Sequence, residues 1–150
     1  MKKYIIKGPT NSISGTVNIN GAKNSCLPLM AASILFKDKV ILKNVPLVKD
    51  VITMKNLLIS LGSKVEILKT NKMIIKNTKP HQRWVPYKLV YTMSAGDLTM
   101  GSLLGRYQKK KIYVAKGGGC SLGIRDINYH LSGFESLTAE HRLEKGYVRI

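Results

Sequence analysis

The spacing of hydrophobic and polar positions changes repeatedly along the chain, and each change marks an expected element. In the first half, short β-branched and apolar runs bounded by Gly, Pro, Asn and Asp predict strands. These runs lie at residues 4–6, 16–19, 40–42, 65–68 and 73–75. The last two runs predict a hairpin that turns at Thr70 and Asn71.

Two stretches in the same half have helical spacing instead. Residues 25–36 are small and apolar, and Pro28 is tolerated in a first turn, so we expect a buried helix there. A second helix is predicted over residues 49–61 and ends at Gly62. Its apolar positions at helical spacing are Ile52, Leu57, Leu58 and Leu61.

The order of elements recurs after a proline-punctuated linker at residues 79–86. We expect a helix at 102–107, a strand at 112–114 and a closing strand at 147–150. A second helix is predicted between those two strands from one apolar face. That face consists of Ile127, Leu131, Phe134 and Leu137.

The two halves also align with each other. Residues 40–42 match 112–114 at an offset of 72, whereas 49–51 match 125–127 at an offset of 76. The second copy therefore has four extra residues, which fall in the glycine-rich segment 115–123. An insertion at one place in a repeated scaffold indicates added function. Because repeat arrays commonly need three or more units, we expect an incomplete copy of a longer protein.

Composition restricts the class of protein. The 150 residues are 44% hydrophobic, which excludes a disordered tail, and no apolar run approaches the roughly 20 residues of a membrane span. The basic start lacks the apolar stretch of a signal peptide. Because Cys26 and Cys120 are too few for a disulfide framework, we expect a reducing, cytoplasmic setting with no membrane contact.

The charge balance bears on polyanion binding. Twenty-five Lys and Arg against eight Asp and Glu give a formal net charge of +17, which attracts nucleic acid, membrane surfaces and small polyanions. However, the lysines are scattered, the only tight run is Lys109-Lys110-Lys111, and the sequence shows no basic stripe with interleaved aromatics. We therefore expect a solvated lysine surface without nucleic-acid binding. A basic module for nucleic acid or acidic partners is the alternative function.

The first segment suited to chemistry is Asn20-Gly21-Ala22-Lys23-Asn24, between a predicted strand and a predicted helix. The start of a helix presents free backbone N–H groups and the positive end of the helix dipole. A lysine and an amide in that place suit a phosphorylated or carboxylated ligand. The alternative is that Asn24 or Ser25 merely caps the helix while Lys23 is solvated.

The second segment is the glycine-rich loop that holds Cys120. Three successive glycines allow a ligand to approach the backbone closely. Cations at Lys116 and Arg125 favour the thiolate, so Cys120 suits a nucleophile or an acid. The alternative is an ordinary unreactive thiol beside a turn.

The third segment, residues 123–130, leads into the second-half helix. Arg125 suits a bidentate grip on phosphate or carboxylate, and Asn128 and Tyr129 suit contact with a base or sugar. We expect His130 near the apolar face, as a hydrogen-bonded core histidine rather than a catalytic one. The sequence contains no metal-ligand spacing, Walker motif or dinucleotide fingerprint.

Short motifs in a fixed order carry a resemblance to a known family. They are Gly21-Ala22-Lys23-Asn24 with Leu27-Pro28, Asn44-Val45-Pro46 with Lys49-Asp50-Val51, Gly118-Gly119-Cys120, Gly123 with Arg125, His130-Leu131-Ser132-Gly133, and Gly146-Tyr147-Val148. Any one motif is weak. Their joint order resembles the enolpyruvyl transferase family, and within it the branch that acts in peptidoglycan synthesis.

The resemblance implies a fold and a domain division. The implied fold class is α/β (α+β), an inside-out α/β barrel of repeated βαβαββ units that is incomplete here. Residues 1–20 would be strands of the family's second domain, and residues 21–150 about two of the three repeats of its first domain. Repeat 1 would span 21–78 and repeat 2 would span 87–150, with the linker at 79–86.

The resemblance also implies a reaction. That branch transfers the enolpyruvyl group of phosphoenolpyruvate to the 3-hydroxyl of UDP-N-acetylglucosamine, releases phosphate, and needs no metal or other cofactor. By matching position, Lys23 would bind phosphoenolpyruvate and Asn24 would contact the sugar nucleotide. Cys120 would be the acid that protonates the methylene carbon and the residue that fosfomycin alkylates, and Arg125 would hold anionic groups. The uridine pocket would be lined by Asp126, Ile127, Asn128 and Tyr129.

Several positions depart from the family's pattern. Its arginine in a Thr-Met-Arg-Ala-Ser segment is Ser94 here, and Asp97 stands in an expected apolar helix. Gly117 replaces a proline, and Asp126 and Asn128 replace a proline and an aspartate. The family's general base and further phosphate-binding residues lie beyond position 150. We therefore expect a diverged enolpyruvyl transferase that is inactive as this chain alone, or that assembles with a separate C-terminal fragment.

Overall fold

The computed structural model describes residues 3–8, 12–77, 84–90, 93, 96–107, 111–115 and 127–150. Short helices and strands alternate throughout. The helices are α1 (Lys23–Ala32), α2 (Lys49–Ser60), α3 (Tyr87–Val90), α4 (Thr99–Arg106) and α5 (Asn128–Ser136), with 3₁₀ turns at Ser33–Leu35 and Gly96–Leu98. The strands are β1 (Lys39–Leu42), β2 (Lys64–Leu68), β3 (Lys72–Lys76), β4 (Trp84–Val85), β5 (Tyr113–Ala115), β6 (Arg142–Glu144) and β7 (Tyr147–Arg149).

The strands form two sheets with the same internal pairing. In the first sheet the order is β1-β3-β2, and in the second it is β4-β5-β7-β6. In each sheet, the strand before a helix pairs antiparallel with the second strand of the hairpin that follows that helix. The mixed helix and sheet class matches the expectation, and the described strands do not close a barrel. The equal pairing supports a repeat, and the boundaries at 21–78, 79–86 and 87–150 stay predictions.

Both sheets bury one face against the helices. Met73 and Ile75 of β3 are fully buried, whereas Lys72 and Lys76 at its ends are exposed, as a period of two requires. Helix α1 packs on α2 and α4, and α2 packs on α3, so that helices of both halves share one core. Its largest members include Met30, Ile34, Met54, Leu57, Leu58, Met100, Leu103 and Ile112.

The predicted hairpin and the first-half helices are present, with three local differences. Helix α1 begins at Lys23, so Pro28 lies in its second turn, where it cannot donate a hydrogen bond to the Asn24 carbonyl. In α2 the residue that faces the core is Val51, while Ile52 is partly exposed. At the start of α2 the buried position is therefore one residue earlier in the sequence than predicted.

The second half differs more. The end of the predicted linker forms β4, which pairs parallel with β5 and is too short for a periodic signal. Leu137 was expected on the apolar face of α5, but it is exposed because the helix ends at Ser136 and Thr138 adopts a positive φ. Asp97 lies in the 3₁₀ turn that precedes α4.

The segments predicted as strands at 4–6 and 16–19 do not pair with any described strand. Their apolar side chains, including Tyr4, Ile6 and Val17, are largely exposed. A strand needs a partner edge, and the proposed pairing with the family's second domain stays a prediction. The Asn44 side chain holds the end of this segment by donating a hydrogen bond to the Ile19 carbonyl (3.3 Å).

Asn77 joins the two halves through a buried hydrogen-bond network. Its Oδ1 accepts a bond from the Ser63 hydroxyl (2.6 Å), and its Nδ2 donates to the Ser33 carbonyl. The guanidinium of Arg106, on α4, donates to the Asn77 backbone carbonyl (2.9 Å). Because Asn77 is fully buried, each of these groups depends on its protein partner rather than on water.

Replacing Asn77 by alanine leaves the Ser63 hydroxyl and the Ser33 carbonyl without their partner in a buried place. We expect Asn77→Ala to lower the free energy of unfolding by about 2–3 kcal/mol in urea titrations followed by circular dichroism. The exposed Asn18 provides the control: Asn18→Ala changes that free energy by less than about 0.5 kcal/mol. Equal effects of the two variants would contradict the role of the network.

Candidate active site

Lys23 and Asn24 occupy the first turn of α1. Ala22 is the N-cap, with extended backbone (φ −78°, ψ 130°) and no capping side chain, and its carbonyl accepts the N–H groups of Ser25 and Cys26. The sequence left open that Asn24 or Ser25 caps the helix. Both residues lie inside the helix, so the capping part of this alternative is wrong, whereas Lys23 is exposed as that alternative expected. The free backbone N–H groups at this helix start give it a positive electrostatic potential.

Lys23 makes an ion pair with Asp50. Its Nζ lies 2.7 Å from Asp50 Oδ2, and the two side chains are 47% and 34% exposed. Asp50 is in the first turn of α2, so the pair joins the N-terminal ends of two helices that are 27 residues apart in sequence. An ion pair this exposed contributes about 0–1 kcal/mol to stability, and its main effect is on where the ammonium group lies.

A close backbone contact fixes the turn before α1. A Cβ at Gly21 would overlap the backbone carbonyl of Asn44, so only glycine fits there. Asn44 itself adopts a positive φ of 54°, and the next residue, Val45, donates its N–H to the Asn71 carbonyl (2.8 Å). The turn that carries Lys23 is thereby held against the loop that follows β1.

An open cleft of about 360 Å³ lies along the same contact. One wall is the α1 face that carries Ala22, Ser25, Cys26 and Leu29, and the other is the segment from Ile41 to Pro46. Lys23 and Asn24 do not line it. The Cys26 thiol at its base is 6% exposed, and burial raises its pKa. Cys26 is therefore a structural thiol, held in its unreactive form.

The third predicted segment is described only from Ile127 onward. Ile127 is buried as the N-cap of α5, whereas Asn128 and Tyr129 in the first turn are exposed, Tyr129 by 87%. Cys120, Arg125 and Asp126 lie outside the described residues, as do Gly117 and Ser94. The structure therefore brings Lys23 together with Asp50. The roles that the resemblance implies for Cys120, Arg125 and Asp126 stay predictions.

His130 is not the core histidine that the sequence predicted. Its side chain is exposed. The buried positions of α5 are Ile127 and Leu131, which are four residues apart and share one face of the helix, and His130 lies off that face. Asp50 is the functional candidate that sequence reasoning left without a role. No local pattern links it to Lys23, and its only signal was its place in a repeated motif.

The described part of the chain contains no group of three or more His, Cys, Asp or Glu side chains placed to hold a metal ion. None of its helices is long and apolar enough to cross a membrane.

Comparison with known proteins assigns the family. The family model described as EPSP synthase (3-phosphoshikimate 1-carboxyvinyltransferase) matches residues 7–150. The chain belongs to this family of enolpyruvyl transferases. A solved member of the fold, the enolpyruvyl transferase NikO from Streptomyces tendae, superposes with a TM-score of 0.75 at 16% identity. That match covers 93% of this chain and 30% of NikO, and at this identity it concerns the fold alone.

Curated relatives are more similar in sequence. The UDP-N-acetylglucosamine 1-carboxyvinyltransferase of Magnetococcus marinus is 43% identical over all 150 residues, and that of Photorhabdus laumondii is 41% identical over 149. The alignments cover 35% and 34% of those proteins. The chain thus corresponds to an N-terminal portion and spans about a third of the length of the curated relatives it matches.

The two cysteines can be distinguished by their reactivity. In a Cys120→Ser variant only Cys26 remains, and we expect it to react with a disulfide reagent at pH 8 at least about tenfold more slowly in the native state than in urea. Burial limits both access and the thiolate fraction. The measurement is the release of the coloured thiol, and equal rates in both conditions would contradict the buried position of Cys26.

Proposed function

We propose that the chain is the N-terminal part of an enzyme that transfers enolpyruvyl from phosphoenolpyruvate to the 3-hydroxyl of UDP-N-acetylglucosamine, a step of peptidoglycan synthesis. The observation that carries the proposal is the 41–43% identity, over essentially every residue, to proteins named for that reaction. Family membership alone supports only the coarser activity, enolpyruvyl transfer.

The proposed roles follow the motifs. Lys23 binds the phosphate or carboxylate of phosphoenolpyruvate, and Asn24 contacts the sugar nucleotide. Cys120 protonates the methylene carbon, and Arg125 holds an anionic group of the substrates. The uridine end is contacted by Asp126, Ile127, Asn128 and Tyr129.

The contact of Lys23 with Asp50 supports its role. A mobile lysine loses conformational entropy when it binds an anion, and an ion pair that already restricts the ammonium group reduces that loss. The N-terminal turns of α1 and α2 add backbone N–H groups and positive dipole ends beside it. The arrangement suits the neutralisation of charge that builds up as phosphate leaves.

We further propose that these 150 residues do not turn over substrate alone. They span about a third of the relatives, and in the family the general base and further phosphate-binding groups belong to the part that they do not span. Positioning of the substrates and stabilisation of charge each account for several kcal/mol of a typical barrier reduction. A chain that forms only half of the active-site cleft therefore loses most of the catalytic rate. A separately supplied C-terminal part would complete the site.

The proposal is tested by phosphate release from phosphoenolpyruvate in the presence of UDP-N-acetylglucosamine. The purified chain should release no phosphate above background. A fusion of the chain to the rest of the Magnetococcus marinus relative should release it, and Lys23→Ala in that fusion should lower kcat/KM at least about a hundredfold because a cation on the leaving phosphate is lost. Lys39→Ala, at an exposed β1 position, is the matched control. An unchanged kcat/KM of the fusion after Lys23→Ala would contradict the assignment of Lys23 to phosphoenolpyruvate binding.

The acid role of Cys120 has its own test in the same fusion. A serine hydroxyl is too weak an acid to replace the thiol, so Cys120→Ser should abolish phosphate release. Cys120→Asp keeps an acid and should retain activity while losing inactivation by fosfomycin. Continued inactivation of Cys120→Asp would exclude Cys120 as the target. Phosphate release by the unfused chain that Cys120→Ser abolishes would disprove the proposed inactivity.

A further inference from the structure

The outer face of the second sheet carries an ordered row of side chains. Register places Trp84 beside Tyr113, Tyr113 beside Arg149, and Arg149 beside Arg142, across all four strands. We name these four residues the aromatic-arginine row. On the opposite face of the same strands, Val85, Val114 and Val148 are buried in the core. The row therefore points away from the core, because side chains alternate along a strand.

At the aromatic end of the row three rings are in contact, of which Trp84 is exposed and Tyr113 and Tyr147 are partly buried. The ring centroids of Trp84 and Tyr113 are 4.9 Å apart with planes inclined by 28°, and Tyr147 of the neighbouring row lies 4.4 Å from Trp84. Trp84 remains 47% exposed. The indole contacts two other rings and is still half exposed, as an aromatic side chain that stacks on a base must be.

The arginine end places two like charges directly opposite each other. Cross-strand neighbours of equal charge destabilise a sheet unless something neutralises them. Glu144 lies 3.0 Å from the Arg149 guanidinium, and none of the ion pairs in the described part of the chain involves Arg142. Among the described residues, the charge at this end is therefore only half neutralised.

We propose that the aromatic-arginine row binds single-stranded nucleic acid. An unpaired base stacks on Trp84, and the phosphates beside it contact Arg149 and Arg142. An acidic protein would use the cations but leave the rings unused, whereas single strands offer both a π-face and a phosphate at each nucleotide. The net charge of +17 draws any polyanion toward the surface, and the row adds the local chemistry. This activity does not depend on enolpyruvyl transfer.

The first sheet supplies an internal comparison. Its register aligns Lys39 with Lys76 and Lys76 with Lys64, so that three exposed lysines cross the sheet side by side. We name these the lysine row. It has the charge of a polyanion site and no aromatic member. Binding that follows charge alone should depend equally on both rows, whereas binding by stacking should depend on the aromatic-arginine row.

The test uses the purified 150-residue chain and a fluorescein-labelled oligothymidine of about 16 nucleotides, within the usual site size of single-strand binders. Trp84 is the only tryptophan, so its fluorescence reports on this platform alone. We expect the unlabelled oligonucleotide to quench Trp84 fluorescence with the same midpoint that anisotropy gives for the labelled strand. Anisotropy binding without quenching would overturn the proposal.

Variants then separate stacking from charge. Trp84→Ala should weaken binding about tenfold, the loss of roughly one base-stacking contact, and Trp84→Phe should retain most of the affinity. Phe36→Ala, which removes an exposed ring elsewhere, is the matched control and should have no effect. Arg142→Gln should weaken binding more than Lys76→Gln does, and each variant's folding is checked by circular dichroism.

Three further results would overturn the proposal. The first is an equal loss from Arg142→Gln and Lys76→Gln, which would indicate diffuse charge. The second is equal affinity for a duplex of the same sequence, whose bases are not free to stack. The third is full competition by polyglutamate, which would favour an acidic protein as the partner.

Discussion

One-sided burial of the two sheets is the constraint on which the rest of the structure depends. Each sheet has three or four short strands, too few to be stable without cover, and it covers one face with helices. Met73 and Ile75 in one sheet and Val114 and Val148 in the other enter a single shared core. Once these side chains are inside, the period of two decides which residues face outward on every paired strand.

The position of the candidate site follows from the way the helices pack around that shared core. Helices α1 and α2 pack on each other beneath the first sheet, and their N-terminal turns meet where Lys23 contacts Asp50. The missing side chain at Gly21 lets the Asn44 carbonyl approach the start of α1. Asn77 then ties this half to α4 through Arg106. The position of the turn that carries Lys23 is thus set by packing at several points, and the ion pair with Asp50 adds little to stability.

Sequence patterns predict the local parts of this arrangement and miss the parts that depend on register. The hairpin of β2 and β3, the presence of α1 and the extent of α2 follow from periodicity and from Gly62, which has a φ of 99° and lies just beyond the end of α2. The motif around Lys23 indicated a helix start in this region, but the predicted start at residue 25 lies two residues after the actual one. Its partner Asp50 was not assigned, because a contact across 27 residues leaves no local signal. Leu137 was misplaced because α5 ends one residue before it, and His130 because the buried face of α5 does not extend to it.

The aromatic-arginine row is another feature that depends on strand register and that the sequence pattern does not predict. The sequence contains no basic stripe with interleaved aromatics, since Trp84, Tyr113, Arg142 and Arg149 are spread over 66 positions of the chain. They become neighbours only because four strands pair in one register. Scattered lysines and a high net charge therefore carry little information about a partner until the sheet is known. Because the row faces away from the core and Lys23 belongs to the helix layer, we expect substitutions in one to leave the other intact, so that the two proposed activities can be tested separately within one chain.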